Sequence, residues 1–286
     1  MGAGPAFRVF VTSPPADAPT NSGQVGARGY SEEELLNLAT TVARDAGTLL
    51  LDRFNGGRER ALESKSTPTD LVSEADLASE RLISDALARA RPDDGFLGEE
   101  GGGEEGSSGL TWVVDPLDGT VNFLFSIPQW CVSVAVRDSQ GAVAGAIFDP
   151  CRDELFTATR SGDALLNGTP LVPSSCHDLA TAMVATGFAY DSDVRAAQAE
   201  VLARLLPRVR DIRRFGSAAL DLAWTATGRY DAYFERTVKP WDIAAGTLVC
   251  ERAGLSVAEL PERAGLPFGV MAAAPALSQV LFELIN

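Results

Sequence analysis

Hydrophobic positions along the chain follow two rhythms. Leu35, Leu36, Leu38, Val42, Ala46, Leu49 and Leu50 recur at helical spacing towards Phe54, and Gly56-Gly57 ends the run. Ser31-Glu32-Glu33-Glu34 stands before it as a capping box, so the pattern predicts a first helix. Ser73 caps a predicted second helix, which carries Leu77, Leu82, Ile83 and Leu87 to a stop at Pro92. A polar stretch, Lys65-Ser66-Thr67-Pro68-Thr69-Asp70, lies between them.

From there the period shortens to two. Phe96-Leu97 predicts a short strand entering Gly98-Glu99-Glu100 and a Gly/Glu/Ser-rich loop, and Trp112-Val113-Val114 predicts a buried one. Val132 to Val136 and Ala142 to Phe148 alternate around Ser139-Gln140-Gly141, which predicts a hairpin, with Leu155 to Ala158 as a third strand. The remainder alternates strand and helix. Strands are predicted near Ala182–Ala185, Asp211–Phe215, Ala232–Phe234, Leu255–Val257 and Val270–Ala273. Helices are predicted through Ala196–Leu206, from Ser217, from Trp241-Asp242 and from Pro275. The expectation is an α/β fold with α+β character in its first half. Residues 31–286 form one domain in this reading, an α+β half (31–160) joined to an α/β half (161–286). Residues 1–30, rich in Gly, Pro, Ala and Ser, read as a flexible leader.

Composition narrows the function. A chain of 286 residues can bury a sizeable core, and a net charge of −15 argues against broad binding of nucleic acid or anionic membrane. Cys131, Cys151, Cys176 and Cys250 are scattered without a CxxC pair, so a reduced, cytoplasmic setting is expected. The single histidine, His177, lies in a polar run that reads as surface loop. One histidine there excludes a Ser-His-Asp triad elsewhere and any multi-histidine metal site. The leader lacks the basic start and apolar core of a secretory signal, and no later run is long enough to span a bilayer.

The chemistry concentrates in Asp115-Pro116-Leu117-Asp118-Gly119-Thr120. Pro116 fixes its own φ and pushes Asp115 away from helical geometry, which predicts two aspartates at the corner of a turn. Gly119 allows close backbone approach, and the Gly119 and Thr120 amides can face an anion. The carboxylates alone would repel a phosphate: two unit charges ~4 Å apart interact by ~4 kcal/mol at an effective dielectric of ~20. A phosphate site here requires cations. Such dipeptides also mark ordinary surface turns, so other segments must decide. Glu99 and Asp242 repeat the grammar of an acid at a strand end or helix start beside Gly or Pro. Mg²⁺ takes oxygen ligands, one or two carboxylates per ion, with water and phosphate completing the shell. Taken singly, Asp76 and Asp242 are equally helix-start charges, Lys65 is a surface lysine, and Arg213 and Arg214 read as strand-end surface or interface residues.

In combination these segments resemble the inositol monophosphatase family, within the lithium-sensitive, Mg²⁺-dependent sugar-phosphatase superfamily. The resemblance runs from about Ser31 to the C-terminus. It rests on Lys65…Asp70-Leu71-Val72…Asp76, Gly98-Glu99-Glu100, Trp112 through Phe123, Gly216-Ser217-Ala218-Ala219, and Trp241-Asp242-Ile243-Ala244-Ala245-Gly246. It implies a layered αβαβα sandwich, a homodimer, and two to three Mg²⁺ per active site. Glu99, Asp115 and the Leu117 carbonyl would hold one ion; Asp115, Asp118 and Asp242 would hold a second, with a weaker third near Glu99. Asp76, Thr120 and Glu99 would orient and activate the attacking water, with Lys65 nearby, and the phosphoryl group would rest on the Gly119 and Thr120 amides. Asp118, Gly216, Ser217, Ala218, Glu235 and Asp242 would meet the substrate. The implied reaction is hydrolysis of the small-molecule ester myo-inositol 1-phosphate by direct water attack, with no phosphoenzyme. Histidinol phosphate and fructose 1,6-bisphosphate are rival substrates on this scaffold. A protein-binding role in transcription or ribosome assembly is the alternative of another class. Lys239 occupies a position where family members vary.

Overall fold

A computed structural model describes residues 30–56, 63–64, 71–72, 74–263 and 265–286. The expected leader up to residue 29, the stretch Lys65–Asp70 and the capping Ser73 lie outside the described residues. Helix α1 (Glu32–Gly56) begins after Ser31, whose Oγ accepts from the Glu34 amide at 3.5 Å. A two-residue pair, β1 (Glu63–Ser64) with β2 (Leu71–Val72), precedes α2 (Glu74–Ala90), which ends just short of Pro92.

An eight-stranded sheet follows among the described residues. Its strands are β3 (Gly95–Gly98), β4 (Gly102–Glu104), β5 (Thr111–Asp118), β6 (Cys131–Asp138), β7 (Gly141–Asp149), β8 (Glu154–Thr159), β9 (Leu165–Leu166) and β10 (Thr169–Pro170). They lie in the order β10-β9-β8-β7-β6-β5-β3-β4, antiparallel throughout except for β3 beside β5. A short helix, α3 (Thr120–Leu124), leaves the end of β5. The second sheet has order β12-β11-β13-β15-β14, from β11 (Met183–Thr186), β12 (Asp211–Arg213), β13 (Ala232–Arg236), β14 (Ser256–Leu260) and β15 (Gly269–Ala273). Strands β12, β11, β13 and β14 run in one direction, and β15 lies antiparallel between β13 and β14. The remaining helices are α4 (Ser192–Leu205), α5 (Ala218–Ala226), α6 (Pro240–Arg252) and α7 (Pro275–Ile285).

Three cores show how these elements layer. Strand β6 sends Val132, Val134 and Val136 into a core with α1 and α2, while Cys131 and Ala135 enter a second core with α5 and α6. That is period-two alternation on a sheet covered on both faces. The second core continues to Tyr233, Val257 and Ala272 of the other sheet, whose opposite face packs with α4 and α7 in a third core. The order is helix, sheet, helix, sheet, helix, the αβαβα sandwich expected.

The structure departs from the predicted pattern in short elements and at one decisive place. Strands β4, β9 and β10 and helix α3 are too brief for periodicity to mark them. Asp115-Pro116-Leu117-Asp118 is not a turn: β5 runs through it. Asp115 pairs with Ser133 and Asp118 with Cys131, so the register slips between them. Pro116 has no N–H for the ladder, and a bulge accommodates it while aiming both aspartates to one side. Among the described residues no helix is long and apolar enough to cross a membrane.

Candidate active site

A cavity of about 510 Å³ opens where the two sheets' loops meet. Glu99, Asp115, Leu117, Asp118, Gly119 and Thr120 reach it from β3, β5 and α3; Gly216 and Ala218 from the start of α5; and Glu235, Lys239, Trp241 and Asp242 from β13 and α6. Phe188 to Asp191, Arg214, Thr237 and Val238 complete the lining. Ten of the sequence-predicted site residues thus face one space. Asp76 and Ser217 stand behind it, and Lys65 lies outside the described residues.

Helix α2 aligns three of these segments from below. Asp76, with 0% exposure, accepts from Thr120 Oγ1 at 2.8 Å. One turn on, Ser79 Oγ donates to the Pro116 carbonyl at 2.7 Å, and Glu80 Oε2 accepts from the Glu100 amide at 2.8 Å. Sequence reasoning missed Ser79 and Glu80. Their signal was available: Asp76 and Glu80 fall in helical phase with Ile83 and Leu87, so polar groups occupy the buried stripe and need partners. Glu80→Ala removes the charged acceptor of the half-buried Glu100 amide and loosens the turn that carries Glu99. The expected result is a loss of about 1–3 kcal/mol and faster hydrogen exchange at Glu100, read by mass spectrometry. Unchanged protection at Glu100 would remove Glu80 from this role.

Asp118 welds β5 to α5. Its Oδ2 accepts from Ser217 Oγ and from the Ala219 amide, both at 2.7 Å, and Oδ1 from the Ala218 amide at 3.3 Å. Ser217, an expected substrate contact, is the N-cap of α5 and supports Asp118 from behind the cavity wall. Asn122 supplies a second tie, donating to the Gln129 carbonyl at 2.7 Å and to the Phe215 carbonyl at 2.6 Å. Gly119 adopts φ +103°, and a Cβ there would meet the Gln129 carbonyl at 2.9 Å, so only glycine suits the exit from β5. The strand stops at Arg213, and Arg214, exposed one residue beyond it, also lines the cavity.

The electrostatics follow from crowding acids into a desolvated wall. Asp115 is 2% exposed, and burial, then Glu99, Asp118 and Asp242, push its carboxyl well above the usual range. A hydrogen bond from the Leu117 amide at 3.0 Å opposes this. Burial raises Asp118 to about 6 against its three donors, and raises Asp242 well up despite the Lys239 amide at 2.7 Å. Glu235 is raised to about 7, first by burial, with the Tyr233 hydroxyl and Arg214 opposing. All the donors are oxygens, the set that hard divalent cations take, and a cation would relieve the mutual repulsion. Among the described residues, however, no three acidic, histidine or cysteine side chains are already gathered as a closed metal cage. They line one side of an open cavity.

Layered fold and acidic cavity together define a phosphatase-type protein, and the chain belongs to the inositol monophosphatase family, whose description it matches over residues 31–285. It is 46% identical to the inositol-1-monophosphatase of Mycobacterium leprae over 239 residues, covering 79% of this chain and 81% of that one. A Xylella fastidiosa protein named Nus factor SuhB is 41% identical over 263 residues, 87% of this chain and 95% of that one. Among solved structures, the extragenic suppressor protein suhB of Bartonella henselae superposes with a TM-score of 0.81 at 34% identity, covering 88% of this chain and 98% of that one.

Proposed function

We propose that the protein is a Mg²⁺-dependent phosphomonoesterase that hydrolyses myo-inositol 1-phosphate by direct attack of water. The observation that carries this is the Asp76–Thr120 hydrogen bond beside a cavity lined by Glu99, Asp115, Asp118 and Asp242. Glu99, Asp115 and the Leu117 carbonyl would hold one ion and Asp115, Asp118 and Asp242 another, with a weaker third near Glu99. Bound Mg²⁺ supplies Lewis acidity and lets an anionic ester approach these carboxylates. The chain's own groups do the rest. Thr120 has a single hydroxyl proton, and its shorter contact is to Asp76 rather than to the Leu117 carbonyl at 3.1 Å. With that proton directed at Asp76, the Thr120 oxygen keeps lone pairs to accept from the attacking water, which Glu99 also faces. The Gly119 and Thr120 amides receive phosphoryl oxygens, where charge grows in the transition state. Lys65 would join this group.

The mycobacterial relative's name favours inositol 1-phosphate, and Glu235 offers an acceptor for polyol hydroxyls. Phosphate release with Mg²⁺ from inositol 1-phosphate, histidinol phosphate and fructose 1,6-bisphosphate tests the assignment. The first should show a kcat/KM at least ~10-fold above the others, the scale one well-paired hydroxyl set provides. A preference for either rival overturns the substrate. No release from any of them overturns the reaction and leaves the protein-binding role that the Nus factor SuhB relatives suggest. Lithium inhibition and a homodimer belong to the same proposal, read in LiCl titrations and by light scattering.

A further inference from the structure

Glu235 reaches the cavity from β13, and two neighbours decide where its carboxylate sits. Tyr233, two residues earlier on the same face of the strand, is 0% exposed, and its hydroxyl donates to Glu235 Oε2 at 2.9 Å. On the adjacent parallel strand Thr186 pairs with Phe234, so the following residue, Gly187, comes level with Glu235. A Cβ built on Gly187 would stand 2.0, 2.1 and 2.2 Å from the three carboxyl atoms of Glu235. The side chain lies across bare backbone, in space that exists because residue 187 carries no side chain. Oε2 is taken by Tyr233, which leaves Oε1 as the atom to accept from a ligand in the cavity.

We infer that Gly187 and Tyr233 are positioning residues that fix Glu235 Oε1 as an acceptor for a substrate hydroxyl, and so determine the preference for polyol phosphates. This rests on the polyol-phosphate reading above. The physics is selective. A carboxylate with one oxygen already bonded and no room to retreat holds the second where a hydroxyl must meet it, and an ester without that hydroxyl gains nothing from it. Because a Cβ on Gly187 meets the end of a side chain rather than backbone, Gly187→Ala displaces Glu235 while leaving the strands in place.

The test uses Gly187→Ala, Tyr233→Phe and Glu235→Ala, each alone, and the two pairs with Glu235→Ala. KM and kcat are measured for myo-inositol 1-phosphate and for p-nitrophenyl phosphate, and melting curves confirm the fold. The expected result is a KM for inositol 1-phosphate raised about tenfold or more in each single variant, the scale of one charged hydrogen bond. Its kcat should stay within about threefold, and the rise in KM should be at least about threefold smaller for p-nitrophenyl phosphate, which has no hydroxyl to meet Oε1. Adding Gly187→Ala or Tyr233→Phe to Glu235→Ala should raise KM no further, because the residue they position is gone. Equal losses on both esters, or a further rise in the Glu235→Ala background, would overturn the inference. If wild type instead prefers fructose 1,6-bisphosphate, the inositol assignment falls and the positioning is read on the KM of that hydroxyl-bearing ester; a preference for histidinol phosphate, whose only hydroxyl is esterified, overturns both.

Discussion

Asp115→Asn is expected to give a folded protein that releases phosphate at least ~10³-fold more slowly, the loss of several kcal/mol of transition-state charge stabilisation. Asparagine keeps the shape and retains an oxygen for the Leu117 amide, which donates to Asp115 Oδ1 at 3.0 Å. What disappears is the charge proposed to join two ions. Added Mg²⁺ should stabilise wild type through binding to the folded state and should leave Asp115→Asn close to its metal-free melting temperature. A variant that turns over normally, or melts higher with Mg²⁺ by the same margin as wild type, would remove Asp115 from the ligand set.

The metal-free protein adds a pH signature with a definite sign. Unfolded carboxyls release their protons near pH ~4, whereas Asp118 and Glu235 hold theirs to about 6 and about 7. Across that window the folded chain binds more protons than the unfolded one, so its stability falls as pH rises from ~4 to ~7. Asp138, held well down by the Arg160 guanidinium, titrates below the window and leaves the slope unaltered. Melting in EDTA should therefore occur at lower temperature near pH 7.5 than near pH 5, by an amount that saturating Mg²⁺ removes. A flat or rising profile in EDTA would contradict the crowding of these acids.

Thr120→Ala is the second large effect, and it separates chemistry from binding. The Asp76–Thr120 hydrogen bond of 2.8 Å is deleted, while every carboxylate of the cavity remains. We expect kcat to fall about 10²–10³-fold, the range of positioned acid–base groups, with KM and the Mg²⁺ response retained. Thr120→Ser keeps the hydroxyl and should recover most of the rate. Loss of the Mg²⁺ response in Thr120→Ala would instead place Thr120 among the groups that organise the ions.

Much of this molecule was legible in its residues, for physical reasons that differ from place to place. Helix α1 and the β6–β7 hairpin were plain because long amphipathic runs repeat one period, and glycines or polar turn residues punctuate them. Glu99, Asp115, Asp118 and Asp242 were legible through local grammar, an acid beside Gly or Pro at an element's end, whereas Glu235 was reached only through the family resemblance, since no spacing told that it shares a space with Glu99. Asp115-Pro116-Leu117-Asp118 misled because Pro and Asp mark turns when neighbours are unknown. A paired strand alongside converts the same residues into a bulge. Arg214 was unreadable, since whether a residue after a strand faces solvent or a cavity depends on what the other sheet's loops bring. Ser79 and Glu80 were hidden by the habit of reading polar residues on a helix as solvated.

Helix α2 touches Thr120, the bulge and the Glu99 turn through one stripe of side chains. The site therefore behaves like a workpiece held in a single jig. A small tilt of that rod misaligns three segments of the cavity wall together, while the two sheets, each knitted by its own ladder, keep their shape.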